Sequence, residues 1–145
     1  MDRLGLSLPK VVPPLAAYRP AVRSGAHVYV SGQLPIVDGQ CPTGRLGADV
    51  TVAQGADMAR QCALNGLAAV DVLVGLRAVV RVVKIVGFVA SAPGFTDQPA
   101  VVNGASTLLG EVFGEAGEHA RSAVGVAELP RGVPVEVEMI VEVAD

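Results

Sequence analysis

Arg121 stands in the run Ala120-Arg121-Ser122-Ala123-Val124-Gly125-Val126, at the entrance to an apolar strand. A half-buried strand has no ordinary use for a permanent cation with a planar, five-donor fork. Such a group either faces solvent or holds an anion, and a carboxylate gripped by two parallel charge-assisted bonds is the anion it fits best. On position alone a surface arginine in a weak ion pair, worth ~0 to 1 kcal/mol, is the commoner case. Glu136, early in the following strand, offers a carboxylate that could orient a water or shuttle a proton. Taken singly it reads more simply as one of a solvated row with Glu138 and Glu142.

Three further places carry usable groups. Ser31-Gly32-Gln33 could present backbone N–H groups to a ligand, because glycine permits close backbone approach, although a glycine there also simply turns a chain. Asn103 offers a side-chain amide from a helix, where an exposed polar face explains it equally well. Tyr18 lies on an extended N-terminal arm that reaches a neighbour's pocket or covers core. Gly-x-Ser-x-Gly, Gly-x-Gly-x-x-Gly and the P-loop are all absent, which disfavours serine hydrolysis and nucleotide-dependent chemistry. Cys41 and Cys62 are far apart, as are His27 and His119, so there is no local metal-ligand spacing. No metal and no cofactor is expected, and the cysteines read as free thiols, Cys62 in a helix core and Cys41 in a loop.

Composition narrows the partners. The chain has 145 residues, 51% of them hydrophobic and 3% aromatic, with a formal charge of -3. That is one domain whose core must be built from Val, Ala and Leu. Its eleven Lys and Arg residues are scattered from Arg3 to Arg131, without the basic stripe that neutralises phosphates, so no nucleic-acid role is expected. The N-terminus has no apolar h-region, and the most hydrophobic segment, Leu67 to Val89, is interrupted by Asp71, Arg77, Arg81 and Lys84. A soluble, cytoplasmic protein without membrane contact is the expectation.

The elements that must position these groups follow from periodicity. Pro13, Pro14 and Pro20 keep the N-terminal arm extended as far as Tyr18-Arg19. A hairpin turning at Arg23-Ser24-Gly25-Ala26 returns through His27 to Ser31 and closes at Gly32. A turn-rich loop to Asp49 then offers a place for function. Thr51-x-x-Gln54 caps a helix that runs to about Val74 and stops at Gly75, with Val52, Ala56, Ala59, Ala63, Leu67 and Val70 inward and Gln54, Asp57, Gln61 and Asn65 on the other side. Val79 to Ala90 is a strand, with Val79, Val83, Ile85 and Val89 alternating against Val80, Val82, Val86 and Phe88. Being apolar on both faces, it must be covered on both, and a partner subunit is the only remaining cover. A second helix, capped at Thr96 or Asp97, carries Val101, Val102, Ala105, Leu108, Leu109, Val112 and Phe113 inward and stops at Gly114. The Arg121 strand and a last strand, Val135 to Val143, complete the order ββαβαββ. The fold class is α+β, one mixed sheet with two helices on one face.

Together Tyr18, Val30-Ser31-Gly32-Gln33-Leu34-Pro35, Asn103, Ala120-Arg121-Ser122, Leu129-Pro130 and Val135-Glu136-Val137-Glu138 resemble the Rid family of reactive-intermediate deaminases, also called YjgF-like and once named endoribonuclease L-PSP. The resemblance spans residues 1–145 as one domain. It implies a chorismate-mutase-like fold, a homotrimer with ligand clefts between subunits, and cofactor-free hydrolysis of enamines and imines such as 2-aminoacrylate and 2-iminopropanoate to 2-keto acids and ammonia. It further implies that Arg121 grips the substrate carboxylate and Glu136 places the attacking water. Tyr18, contributed across the interface, together with Ser31, Gly32, Asn103 and Phe88, would line the substrate pocket. Ala123 stands where many members have cysteine, and the segments Gly39 to Gly47 and Leu109 to His119 also depart from the typical pattern, which marks a divergent branch. A non-catalytic trimer binding small carboxylates or a regulatory partner is the alternative, and ribonuclease activity a weaker one.

Overall fold

The hairpin that opens the domain turns at Gly25, whose φ of 62° suits a residue without a side chain. In the computed structural model, which describes residues 4–13 and 17–145, its strands are β1 (Ala21–Ser24) and β2 (His27–Gln33). Pro14 lies outside the described residues. The remaining elements are α1 (Val52–Val74), β3 (Val79–Ala90), α2 (Gln98–Phe113), β4 (Ala120–Val126) and β5 (Val135–Val143). The order ββαβαββ is therefore as the periodicity requires.

The five strands form one mixed sheet in the order β1-β2-β5-β3-β4. Only the β3–β4 pair is parallel, and α2 makes the crossover that such a pair needs. Both helices cover one face. Val28, Val30, Val82, Ile85, Val135, Val137, Met139 and Val141 meet Ala59, Ala63, Leu67, Val101, Ala105 and Leu108 in the main core. The helices cross so closely at Gly104 that a Cβ there would collide with the Ala56 carbonyl. Thr51 caps α1 with a complete capping box, accepting from Gln54 N–H while the Gln54 side chain accepts from Thr51 N–H. The second cap sits at Asp97 without a side-chain bond.

Three details differ from the periodicity. Strand β3 does not alternate strictly: register shifts between Val79 and Arg81 and between Val82 and Lys84 put Val82 on the helix face together with Ile85. Strand β2 does not close at Gly32 but runs to Gln33 through another irregularity. Asn65, expected on the polar side of α1, is fully buried. Its Nδ2 donates to the Leu34 and Ile36 carbonyls at 2.9 and 3.1 Å, and its Oδ1 accepts from Gln61 at 3.0 Å. Those bonds replace the water that a buried amide gives up, and they tie the chain leaving β2 to α1.

Among the described residues no helix covers the opposite face of the sheet. Val22, Tyr29, Val86, Phe88, Val124 and Ile140 lie on it, mixed with Lys84, Glu136, Glu138 and Glu142. Among them Val22, Tyr29 and Val124 are more than two-fifths exposed.

Candidate functional site

Gly32 owes its place to a β-bulge. Val30 pairs with Met139 and Gln33 with Val137, so Ser31 and Gly32 together face the single residue Glu138. The extra residue bends the strand and brings the Gly32 backbone against the neighbouring Glu136 side chain, which occupies the space a Cβ would need. Ser31 fastens the N-terminal arm to the bulge: its hydroxyl donates to the Arg19 carbonyl at 2.6 Å and its N–H to the Pro20 carbonyl at 2.9 Å. Tyr18 thereby reaches the bulge and lines, with Pro20 and Gly32, a small cavity of about 20 Å³. Phe88 stands directly opposite Glu136 in the β3–β5 ladder.

Glu136 is partly buried on the open face. Burial first, and the neighbouring Glu138 carboxylate second, raise its pKa above the ordinary glutamate value. Across the strand, the Cys62 thiol donates to the Val135 carbonyl, and burial pushes its pKa well up, with the Glu136 charge adding to the effect. Such a thiol is an inert core group.

Arg121 lies elsewhere. It pairs in parallel register with Ile85, which is fully buried beneath the helices, so Arg121 rises on the helix side at the β4 edge. Its Nη1 donates to Ser106 Oγ at 3.1 Å and its Nη2 to the Pro99 carbonyl at 3.3 Å, both on α2. Asn103 is exposed on the same helix face, between Pro99 and Ser106 in the turn-by-turn spacing of a helix. The candidate residues thus form two groups. Tyr18, Ser31, Gly32, Phe88 and Glu136 gather around the bulge and open face, while Arg121 and Asn103 sit on the other side of the sheet. A single chain does not bring Arg121 and Glu136 together. A cleft of about 610 Å³ lined by Thr43, Arg45, Asp49, Glu128 and Leu129 contains none of these residues.

A model for the family described as Endoribonuclease L-PSP matches residues 9–143. The chain belongs to this family, the YjgF or Rid family. Among its relatives, protein TCP17 of Trypanosoma cruzi is 50% identical, covering 98% of this chain and 91% of that one. The crystal structure of Atu1372 from Agrobacterium tumefaciens, described as of unknown function, is 46% identical and covers 99% of this chain and 90% of its own, with a TM-score of 0.90. Escherichia coli TdcF, solved with bound serine, is 27% identical over 94% of each chain, with a TM-score of 0.65. This member of the family is therefore nearer to TCP17 and Atu1372 than to TdcF.

Ser106 and His119 are absent from the residues singled out by sequence. His119 Nε2 lies 2.9 Å from Ser106 Oγ, and its Nδ1 lies 2.6 Å from the Gly117 carbonyl. The available signal was the spacing of His119 two positions before Arg121, on one side of an extended chain, and of Ser106 one helical turn after Asn103. Among the described residues no group of three or more His, Cys, Asp or Glu side chains could hold a metal, and no helix is long and apolar enough to cross a membrane.

Proposed function

We propose that the protein hydrolyses small enamines and imines of the 2-aminoacrylate and 2-iminopropanoate type to 2-keto acids and ammonia, in clefts between the subunits of a homotrimer. The observation that carries this reading is the pairing of chemistries across two faces. Arg121 is a fixed cation with N–H donors that α2 does not use. Glu136 is a half-buried carboxylate of raised pKa on a face without a helix. Opposite faces of one chain cannot meet, so a site using both is built from two copies, and the partly apolar open face supplies the contact.

In such a cleft Arg121 takes the substrate α-carboxylate and fixes the C=N carbon. Glu136 accepts a proton from a water as that water attacks the carbon. A carboxylate whose pKa is raised toward neutrality is a stronger base than a solvated one. An enamine first gains a proton at its terminal carbon and loses one from nitrogen, becoming the imine. The carbon–oxygen bond forms as the C=N π pair moves to nitrogen, which takes the proton held by Glu136. Nitrogen then leaves as ammonia, taking up the hydroxyl proton as the hydroxyl oxygen forms the carbonyl. One water enters and one ammonia departs, so no redox partner or cofactor is needed. Tyr18, Ser31, Gly32, Asn103 and Phe88 bound the volume in which this happens.

The test is keto acid release from an imine generated in situ by an amino acid oxidase. Acceleration by the wild type, lost in Arg121→Ala and lowered in Glu136→Gln, supports the reading. No acceleration over a panel of amino-acid-derived imines overturns it. The serine bound to TdcF favours a second reading, a carboxylate-binding trimer without turnover. Calorimetry with 2-ketobutyrate that shows binding lost in Arg121→Ala, with no imine turnover, selects that reading.

A further inference from the structure

We infer that Ser106 and His119 are positioning residues for Arg121, joined to it in a one-directional hydrogen-bond relay that sets which guanidinium edge meets the substrate carboxylate. This rests on the reading of Arg121 as the carboxylate clamp.

The direction follows from what each atom can do. The Gly117 carbonyl only accepts, so the 2.6 Å contact requires the proton on His119 Nδ1. A guanidinium only donates, so at 3.1 Å Ser106 Oγ accepts from Arg121 Nη1. The hydroxyl proton is then left to point at His119 Nε2, 2.9 Å away, which in the Nδ1–H tautomer is a bare acceptor. For a neutral imidazole one proton arrangement satisfies all three contacts. A second proton, on Nε2, would use the other serine lone pair but would set an imidazolium beside the guanidinium and leave the serine proton without this acceptor.

The relay gives Ser106 a fixed orientation. A free serine hydroxyl rotates and can turn its proton toward a neighbouring cation, which weakens its hold as an acceptor. With its proton taken by His119, a lone pair of Ser106 stays turned to Arg121. Nη1 and Nη2 are then both held by α2, through Ser106 and the Pro99 carbonyl. The Nε–H and the remaining terminal N–H groups are left for a ligand, at less cost in side-chain entropy than a loose arginine would incur.

Steady-state kinetics on an imine substrate and ¹⁵N NMR of the same proteins test the relay, with circular dichroism to verify folding. Ser106→Ala and His119→Ala are expected to raise KM about ten-fold, the scale of a lost hydrogen bond to a charged group. The value of kcat should stay within about two-fold, as for lost uniform binding. His119→Gln, whose amide offers an acceptor and a donor, should keep most of the wild-type KM. His119 should show the Nδ1–H tautomer in the wild type, and the Arg121 Nη1 signals should be resolved there by slowed rotation about the Cζ–Nη1 bond and averaged in both alanine variants. An Nε2–H tautomer, or an Arg121 signal unmoved in both variants, overturns the relay. Expected NMR behaviour in a protein that turns over no imine overturns the deaminase reading and leaves the relay standing.

Discussion

Glu136 lies so close against Gly32 that a Cβ on Gly32 would fall within the glutamate carboxylate. In the proposed reaction that closeness bears on catalysis more than on folding, because the Gly32 neighbour in conflict is the end of a side chain on the open face. Gly32→Ala should therefore displace Glu136. A displacement on the order of 1 Å lowers kcat/KM by about 100-fold, while overpacking costs about 1–3 kcal/mol of stability. Adding Glu136→Asp, one methylene shorter, should recover the stability and leave the activity low. Urea unfolding and imine kinetics on the two variants check both parts.

Glu136 also gives a pH signature. Its folded pKa is raised, so between the unfolded and folded values the native state binds more protons than the unfolded one. Stability contributed by this group thus falls as pH rises through that window, and the penalty is fully present above the folded pKa. Glu136→Gln should shift the urea midpoint upward at neutral pH and reduce the difference between neutral and mildly acidic solution. If Glu136 is the base of the proposed reaction it must be ionised, and activity should then rise with pH through the folded pKa. Removing the second cause of the shift, in Glu138→Gln, should move that acidic limb of the rate profile to lower pH. A limb unmoved by Glu138→Gln assigns the base to another group.

Asn65 makes the fold dependent on a buried amide. Asn65→Ala leaves the Leu34 and Ile36 carbonyls without their donor in a site closed to water. The expected loss is about 2–4 kcal/mol, read as a lower urea midpoint at unchanged slope. Because the 34–36 segment follows the bulge directly, kcat/KM should fall as well. An exposed asparagine, as the helical spacing alone suggests, would cost almost nothing.

The contrast shows what periodicity conveys. Helix α1 is polar at Gln54 and Asp57, and Asn65 continues that stripe, yet the loop from Leu34 to Ile36 folds over it and supplies two carbonyls. Long-range cover of that kind leaves no local trace. The order of elements along the chain and the ends of the helices were legible because Thr51, Gly75 and Gly114 act on their own neighbours. Val82 was misplaced because a bulge inverts alternation without changing the residues. Arg121 and Glu136 were recognisable by type and resemblance, but the face each occupies depends on strand register, and Ile85 beside Arg121 decides it. Ser106 and His119 meet only because the 3-10 turn Gly114–Gly117 folds the chain back at the end of α2.

The opposite placement of Arg121 and Glu136 leads to a complementation experiment. If one active site takes Arg121 from one subunit and Glu136 from the next, Arg121→Ala and Glu136→Gln homotrimers are each defective. Subunits unfolded together and refolded as mixed trimers should then regain activity. Random mixing of equal amounts gives an interface with both native groups in about one case in four, so about a quarter of wild-type activity is expected. Sites built within one chain would give no recovery beyond the sum of the two variants. Light scattering must find a trimer in each preparation, since a monomer at micromolar concentration would remove the shared cleft itself. Recovery near a quarter would tie the carboxylate clamp and the base to neighbouring copies, and with them the partly apolar sheet face on which Tyr29, Phe88 and Val124 lie.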